Sequence, residues 1–391
     1  MLRLLSDLRP CLSVCRVISC SPANNCKIGE EFMNRHFRSR AEKILAAMVW
    51  LFLPACLFSQ EQNLPVPQTD TATIDADGTA HITRVVPVPQ TLSPEAQKYL
   101  AHLPPVPPAR TLAEHRANTD RDRTARTALA RQLYPVDVHE ETLGGVRCDL
   151  IQPRDLAKGK RSLVLINVHG GGFNSDSGSL LEGIPIANLS GITVVSVYYR
   201  LAPEFPFPAA VDDTEAVFKE LMKTYQPAHI GLYGTSAGAI LTGEVAVRLR
   251  RDGLPLPGVL GIFSGSGDMS RPGDSQAFFT VRGLAGNLQP PGPGPLLSYY
   301  VGSTDPRDPV LSPILADLHG FPPALLVTST RDVLLSGTVN LHRALLRAGV
   351  DAQLVVFDGL PHAFWYHLEL PETKEALDLM ARFLADHLAK P

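Results

Sequence analysis

A serine set between glycines is the first feature of this sequence that could carry out covalent chemistry. The segment GTSAG at 234–238 follows an apolar run at 230–233 and opens a stretch with helical periodicity. This context is typical of a nucleophile elbow, a strand–turn–helix that exposes the serine hydroxyl. Gly234 and Gly238 are expected beside the serine because so tight a turn excludes side chains. The helix N-terminus would face developing negative charge, so the motif predicts acyl transfer with Ser236 as the nucleophile.

A run of three glycines, in HGGGF at 169–173, follows another apolar run, 163–168. Glycines leave their backbone N–H groups uncovered, and together with the N–H of Ala237 these groups predict an oxyanion hole. The alternatives are a plain glycine-rich turn or a phosphate-binding loop. The sequence lacks the GxGxxG and GK[ST] spacings, which disfavours nucleotide binding. His169 is interpreted as a structural anchor of the loop rather than as a base.

A nucleophilic serine needs a histidine base, which in this strand–turn–helix context follows the nucleophile and an acidic residue in chain order. His362 lies five residues after the apolar run 354–357, at the edge of the predicted sheet where strands end, and is the predicted base. His367 is the fallback. The remaining histidines after the nucleophile fall in helical patterns or in a connector, namely His319, His342 and His387.

The carboxylate that orients the histidine should lie in the loop after the preceding strand. Asp332 follows the apolar run 324–328 and is the predicted acid. Asp358 shares the loop of His362 and would approach it from the wrong side. Three other carboxylates receive structural interpretations: Asp305 and Asp308 as turn residues, and Glu204, which precedes the nucleophile, as an ion pair or loop clamp.

Short apolar runs alternate with helical patterns through most of the chain, which predicts the elements that position these residues. The runs are continuous rather than alternating, which indicates strands buried on both faces of a doubly wound, mostly parallel sheet. A β-hairpin is predicted at 138–153 around Gly144-Gly145. The rhythm breaks between 264 and 313, where an insertion would lie above the carboxyl ends of the strands. The runs are 163–168, 192–197, 230–233, 259–263, 324–328 and 354–357, and the helical stretches are 209–224, 238–251, 335–348 and 371–388.

The N-terminal region differs in composition from the rest of the chain. A basic stretch and a 15-residue apolar run (44–58) predict a signal peptide at 33–59 and an exported protein. The alternatives are a retained membrane anchor or a buried helix, with lipid anchoring at Cys56 as a further minor alternative. Residues 1–32 are interpreted as a mis-assigned start upstream of Met33. Residues 60–92 are proline-rich and predict an extended tether, followed by a short helix at 94–101 capped by Ser93.

Composition narrows the classes of function. The formal net charge of the 391 residues is −3, which gives no electrostatic attraction to nucleic acid. Five of the six cysteines lie within the first 56 residues, so the body of the chain retains only Cys148 and cannot form an internal disulfide. No stable membrane insertion is expected after processing, because the apolar run is shorter than a membrane span.

The motifs together resemble the hormone-sensitive-lipase-like esterases of the α/β-hydrolase superfamily, in the branch with GTSAG at the elbow. The resemblance covers roughly residues 90–390. It implies the triad Ser236, Asp332 and His362, oxyanion donors at Gly170, Gly171 and Ala237, and motif roles for His169, Gly172, Gly234 and Gly238. The chain departs from the family at Val333, where many relatives have proline. The segments that carry the resemblance are HGGGF (169–173), YYRLAPEFPFPAAVDD (198–213), GTSAG (234–238), DPRDPVLSPI (305–314), STRDVLLSG (329–337) and DGLPHAF (358–364).

The resemblance also implies one α/β-hydrolase domain at 93–391, with a cap formed by 93–134 and 264–300. The predicted function is a serine carboxylesterase that acts on small-molecule esters, with short to medium acyl chains, through an acyl-enzyme. It implies no metal and no organic cofactor. A lipase or lactonase on the same triad, or a non-catalytic ligand-binding relative, are the alternatives, and the sequence leaves a homo-oligomer open.

Overall fold

The computed structural model describes residues 70–103, 111–155, 157–278 and 297–388. The chain divides into two compact units, residues 1–85 and 86–391. The expectations for 1–32, for the signal peptide at 33–59 and for the central part of the insertion lie outside the described residues. Within the described ranges, no helix has both the length and the apolar character needed to cross a membrane.

The described part of the first unit is a β-hairpin that the sequence reading missed. Strands β1 (Thr71–Ile74) and β2 (Ala80–Thr83) pair antiparallel, and the backbone N–H of Gly78 donates to the carbonyl of Asp75 in the turn. The segment Asp-Ala-Asp-Gly between the strands is a turn signal, and it was overlooked inside the predicted tether.

The second unit contains an eight-stranded sheet in the order β10-β9-β8-β7-β5-β6-β4-β3. The strands from β5 onwards run parallel to one another, whereas β3 and β4 form the predicted hairpin and join β6 antiparallel. The predicted α/β architecture with a mostly parallel sheet is confirmed. The strands are β3 (Val136–Leu143), β4 (Val146–Pro153), β5 (Val164–Val168), β6 (Thr193–Val197), β7 (Ile230–Thr235), β8 (Val259–Phe263), β9 (Ala324–Arg331) and β10 (Ala352–Pro361).

Apolar cores lie on both faces of this sheet. Alternate residues of β5 belong to different cores, Val164 and Ile166 to one and Leu165 to the other. This explains why the strands are continuous apolar runs, since both faces of each strand exclude water. The α-helices within the described residues are α1 (Pro94–Ala101), α2 (Leu112–Leu133), α3 (Ser179–Ser190), α4 (Ala209–Leu221), α5 (Ala237–Arg251), α6 (Asp274–Phe278), α7 (Ser298–Val301), α8 (Leu335–Arg347) and α9 (Pro371–Leu388).

Helix α3 is another element that the sequence reading missed. It contains Gly183 and Pro185, and both residue types are unfavourable in the interior of a helix. It also lacks a polar face, because most of its residues are buried. A Cβ at Gly183 would lie 2.3 Å from the Cδ1 of Ile151, so this glycine permits close packing of the helix on the sheet. Tertiary packing therefore overrides local propensity here.

The end of the predicted tether is bound to the domain. We call residues 87–93 the strap. The carbonyl of Pro87 accepts from the guanidinium of Arg331 at 3.0 Å, and the hydroxyl of Thr91 donates to Asp358 at 2.5 Å. Ser93 caps α1 as predicted and donates its backbone N–H to Glu372 at 2.7 Å. The tether expected over 60–92 therefore does not extend to residue 92.

Candidate active site

The turn after β7 has the geometry of a nucleophile elbow. Ser236 has φ 58° and ψ −118°, a conformation that side chains rarely adopt, and it precedes α5. A Cβ at Gly234 would lie 2.2 Å from the carbonyl oxygen of Val168, and a Cβ at Gly238 would lie 1.8 Å from the same oxygen. Both glycines are thus required by close contact with β5, and the turn exposes the serine at the carboxyl edge of the sheet.

The structure brings Ser236, His362 and Asp332 together. The Nε2 atom of His362 lies 2.9 Å from Ser236 Oγ, and its Nδ1 atom lies 2.8 Å from Asp332 Oδ1. Strand β10 ends directly before His362, and its register with β9 is irregular between Phe357 and Pro361. This arrangement allows the histidine to take a proton from the serine while the carboxylate holds the imidazole in place.

Asp332 is held by donors from its own loop as well as by the histidine. The hydroxyl of Thr328 donates to Oδ2 at 2.7 Å, and the backbone N–H of Leu334 donates to Oδ1 at 2.8 Å. The carboxylate is 1% exposed, and burial alone would raise its pKa. The nearby His362, with donors that include Ser264 and Leu334, more than offsets this, so the pKa of Asp332 is below its usual range. Asp332 is therefore ionised at neutral pH.

A fourth residue, Ser264, contacts both partners, and the sequence reading missed it. Its hydroxyl donates to Asp332 Oδ2, and its Oγ lies 2.7 Å from His362 Nδ1. Ser264 follows β8, is fully buried and has φ 59°, and its N–H donates to the carbonyl of Val327. The predicted cap began at this position, but Ser264 instead lies within the site, in contact with Asp332 and His362. Its position after β8 places it at this edge of the sheet, but its residue type gave no signal of a role, because single serines are common after strands.

The rejected candidates are bonded elsewhere. His367 lies with Nε2 2.8 Å from the hydroxyl of Tyr99, and Asp358 accepts from Thr91 and Thr330. Glu204 is the predicted clamp and forms a two-point ion pair with Arg116 on α2. The other positions have local partners: Asp305 accepts from Arg307 N, Asp308 from Val310 N, His319 pairs with Asp317, His342 with the carbonyl of Ala352, and His387 with that of Phe383.

The glycines of 169–173, which we call the oxyanion loop, differ in availability. The N–H of Gly170 donates to the buried carboxylate of Glu182 at 2.9 Å, so Gly170 is unavailable as an oxyanion donor, contrary to expectation. Among the residues that the structure describes, no oxygen accepts from the N–H groups of Gly171, Gly172 or Ala237. The set open to a substrate oxygen is therefore one residue later in the loop than expected.

His169 anchors the oxyanion loop, as interpreted from the sequence. Its ring is 1% exposed, stacks on the ring of Tyr199 at 4.2 Å and lies with Nδ1 2.8 Å from the carbonyl of Gly170. The hydroxyl of Tyr199 donates to the carbonyl of His169 at 2.6 Å. These contacts leave His169 no path to Ser236 as a base.

Two predicted cap segments contact the loops around the site. On α2, the guanidinium of Arg116 donates to the carbonyls of Asn174 and Ala202 at 2.7 and 3.0 Å. After the undescribed part of the insertion, the hydroxyl of Tyr299 donates to the carbonyl of Gly172 at 2.8 Å. Tyr300 stacks on Phe173 with ring centroids 3.5 Å apart. Both segments therefore border the oxyanion loop.

Thr235, the residue before the elbow serine, accepts a hydrogen bond from the segment that follows His362. The indole N–H of Trp365 donates to its hydroxyl oxygen at 3.1 Å. The elbow and the segment after His362 are thus directly joined. Over the described residues, no cluster of three or more histidine, cysteine, aspartate or glutamate side chains has the geometry to hold a metal ion.

The known proteins that this chain resembles are esterases and a related acetyl-hydrolase. Residues 165–366 match a family model described as the alpha/beta hydrolase fold. The chain is similar to an acetyl-hydrolase of Streptomyces hygroscopicus, with 33% identity over 227 residues that cover 56% of this chain and 74% of the relative. Its fold is similar to that of the esterase E25, with 33% identity, a TM-score of 0.69 and coverage of 78% of this chain and 97% of that one. It is also similar to an esterase of the bacterial hormone-sensitive lipase family, with 30% identity, a TM-score of 0.62 and coverage of 76% and 99%.

Proposed function

The chain belongs to the α/β-hydrolase fold family, among the hormone-sensitive-lipase-like esterases, and is a carboxylic ester hydrolase; on that premise we propose that it acts through Ser236, His362 and Asp332. The observation that carries this proposal is the chain of hydrogen bonds from Ser236 Oγ through the imidazole to Asp332, 2.9 and 2.8 Å long. Its alignment matches a serine activated by an oriented general base.

In the proposed mechanism, His362 Nε2 accepts the proton of Ser236 as Oγ attacks the ester carbonyl. The resulting oxyanion accepts hydrogen bonds from the N–H groups of Gly171, Gly172 and Ala237. The imidazolium then gives its proton to the departing alcohol, which leaves an acyl-enzyme. Water, deprotonated by His362, attacks the acyl carbon. The bond from that carbon to Ser236 Oγ then breaks, the imidazolium returns its proton to Oγ, and the acid is released. Asp332 stays ionised throughout and stabilises the imidazolium.

Short to medium acyl chains are the proposed substrates. The similar protein from Streptomyces hygroscopicus is named an acetyl-hydrolase, which supports activity on short acyl groups. The contacts of Arg116 and Tyr299 with the loops beside the oxyanion donors support a site bordered by the cap rather than an open cleft. A lipase or lactonase using the same triad is the alternative within this chemistry.

Export through the segment 33–59 remains part of the proposal, with lipid attachment at Cys56 as the alternative. It rests on the basic stretch and the apolar run of the sequence. The mass and N-terminal sequence of the protein recovered from cells would test it. Cleavage near residue 59 supports export, and retention of the full segment contradicts it.

The test of the proposed activity is turnover of p-nitrophenyl esters from acetate to palmitate by the wild type and by Ser236→Ala. We expect the highest kcat/KM at acetate to octanoate and a loss of at least 1,000-fold in Ser236→Ala. A maximum at palmitate would favour a lipase. Equal inactivity of both proteins, with retained ligand binding, would overturn the enzyme proposal in favour of the binding alternative.

A further inference from the structure

Glu182 is a buried carboxylate that the proposed mechanism does not use. It lies in the first turn of α3 and is 5% exposed. Burial is the largest influence on this group and raises the pKa of Glu182, against the lowering effect of three hydrogen-bond donors. A carboxylate is costly to bury unless its oxygens are satisfied, so the identity of these donors indicates what it stabilises.

The three donors come from different parts of the site. Oε1 accepts from the backbone N–H of Gly170 at 2.9 Å and from the hydroxyl of Tyr366 at 2.5 Å. Oε2 accepts from the amide of Asn167 on β5 at 3.0 Å. Gly170 immediately precedes the two glycines with open N–H groups, and Tyr366 follows His362 by four residues. One carboxylate therefore bridges the oxyanion loop and the segment that carries the histidine.

Two glycines leave the space that this bridge occupies. A Cβ at Gly178 would lie 1.9 Å from Glu182 Oε1 and 2.6 Å from the phenol oxygen of Tyr366. A Cβ at Gly170 would lie 2.9 Å from the same phenol oxygen. The absence of a side chain at Gly170 thus leaves room for the hydrogen-bonded pair of Glu182 and Tyr366, and its N–H binds Glu182 rather than a substrate.

From these contacts we propose that Glu182 is a positioning residue that holds the oxyanion loop in register with the histidine segment, so that Gly171 and Gly172 present their N–H groups to the oxyanion. The proposal rests on the proposed function, because it assigns Glu182 a part in the same reaction. Glu182 acts through Gly170 and Tyr366 and does not touch the substrate. Its effect falls on kcat, since the oxyanion forms only after the substrate is bound.

Substitution Glu182→Gln tests this with little change of volume. The glutamine side chain has only one oxygen. If this oxygen faces Gly170 and Tyr366, the NH₂ group of the glutamine meets the NH₂ group of Asn167, and two donors face each other. In the reverse orientation, the donors of Gly170 and Tyr366 have no acceptor. Asn167 cannot turn over freely, because its oxygen accepts from Ser196 at 3.0 Å. Loss of one oxyanion donor outright costs about 100- to 1,000-fold in kcat, so we expect a displaced loop to cost at least tenfold, with KM within threefold of the wild type.

Glu244→Gln is the matched control. Glu244 is likewise a buried glutamate that accepts from a tyrosine hydroxyl, that of Tyr300 at 2.5 Å. It has no hydrogen bond to the oxyanion loop among the described contacts, and Tyr300 meets that loop only by ring stacking on Phe173. We expect its kcat to stay within twofold of the wild type. Tyr366→Phe removes one of the three donors to Glu182 and should lower kcat about threefold, and it serves as the deciding variant if Glu182→Gln does not fold.

The readout is the ratio of kcat/KM for p-nitrophenyl butyrate to that for its thionoester analogue. A lower fraction of folded enzyme reduces both rates equally and leaves the ratio unchanged. A displaced oxyanion loop reduces the oxoester rate more, because its oxygen depends on the aligned N–H groups, so we expect the ratio to fall at least fivefold in Glu182→Gln. An unchanged ratio, or an equal fall in Glu244→Gln, would overturn the proposal. An inactive wild type would instead overturn the proposed function.

Discussion

Removal of the Ser264 hydroxyl should slow catalysis about tenfold without removing the triad. In Ser264→Ala the buried carboxylate of Asp332 loses one donor, and His362 Nδ1 loses its contact at 2.7 Å but keeps Asp332 Oδ1 at 2.8 Å. A hydrogen bond to a charged group contributes about 1.5–3 kcal/mol to stability. If about 1.4 kcal/mol of this is expressed when the imidazole becomes charged, the loss in kcat is tenfold.

Thr328→Val separates the two contacts of Ser264. Thr328 also donates to Asp332 Oδ2, at 2.7 Å and fully buried, but it has no bond to His362. Both variants should lower the free energy of unfolding by about 1.5–3 kcal/mol, measured by urea denaturation. Only Ser264→Ala should lower kcat tenfold, with Thr328→Val within about threefold of the wild type. Equal losses of kcat in the two variants would refute the role given to the Ser264–His362 contact.

Ser264→Gly distinguishes the hydroxyl from the backbone. Ser264 has φ 59°, a conformation that glycine adopts without strain. The glycine variant should therefore lose the same tenfold in kcat as alanine, because both lack the hydroxyl. A kcat near that of the wild type in Ser264→Gly would show that loss of the hydroxyl is not what slows the alanine variant.

Three further predictions concern the surroundings of the site. Thr91→Val removes the hydrogen bond from the strap to Asp358. It should lower the free energy of unfolding by about 1 kcal/mol, measured by urea denaturation, while kcat falls less than threefold. An unchanged free energy of unfolding would show that this bond does not stabilise the fold. Burial, with the nearby Arg126, lowers the pKa of His367 from its ordinary value of 6.5 to about 3. Between these two pH values the unfolded chain binds one more proton than the folded chain. The free energy of unfolding therefore falls as the pH drops through this range. His367→Gln should reduce this slope by up to about 1.4 kcal/mol per pH unit, measured by denaturation from pH 7 to 4, and an unaltered slope would contradict the assignment. Gly238→Ala should yield no soluble folded enzyme, because its Cβ would lie 1.8 Å from the carbonyl oxygen of Val168; a stable, active variant would refute this.

The three residues of the proposed triad could be brought together from the sequence because each of them directly follows a strand. Parallel strands bring their carboxyl ends to one edge, so Ser236 after β7, Asp332 after β9 and His362 after β10 converge whatever the side chains between them. Ser264 follows β8, between two of these strands, and the same argument would have placed it at this edge. Its role depended on a hydroxyl meeting two side chains at once, which no spacing along the chain encodes.

The oxyanion loop shows a different limit. Three successive glycines indicate open N–H groups but do not say which N–H is already bonded. The acceptor of the Gly170 N–H is Glu182. Glu182 lies in α3, a helix that the sequence pattern does not predict because it contains Gly183 and Pro185. Partners in the tertiary structure, rather than the glycine pattern, therefore determine that Gly170 is not an open donor.

The same reasoning explains why so many separate contacts converge on the segment after β10. The sheet brings His362 only to the correct edge, whereas proton transfer needs Nε2 within hydrogen-bond reach of Ser236 Oγ, and a misplacement of about 1 Å can cost 100-fold in rate. Trp365 bonds to the elbow through Thr235 and Tyr366 bonds to Glu182, so the histidine segment is tied to the nucleophile and to the oxyanion loop independently of the sheet. The accuracy of the site thus depends on hydrogen bonds between segments distant in sequence, and substitutions there should lower kcat before they lower the stability of the fold.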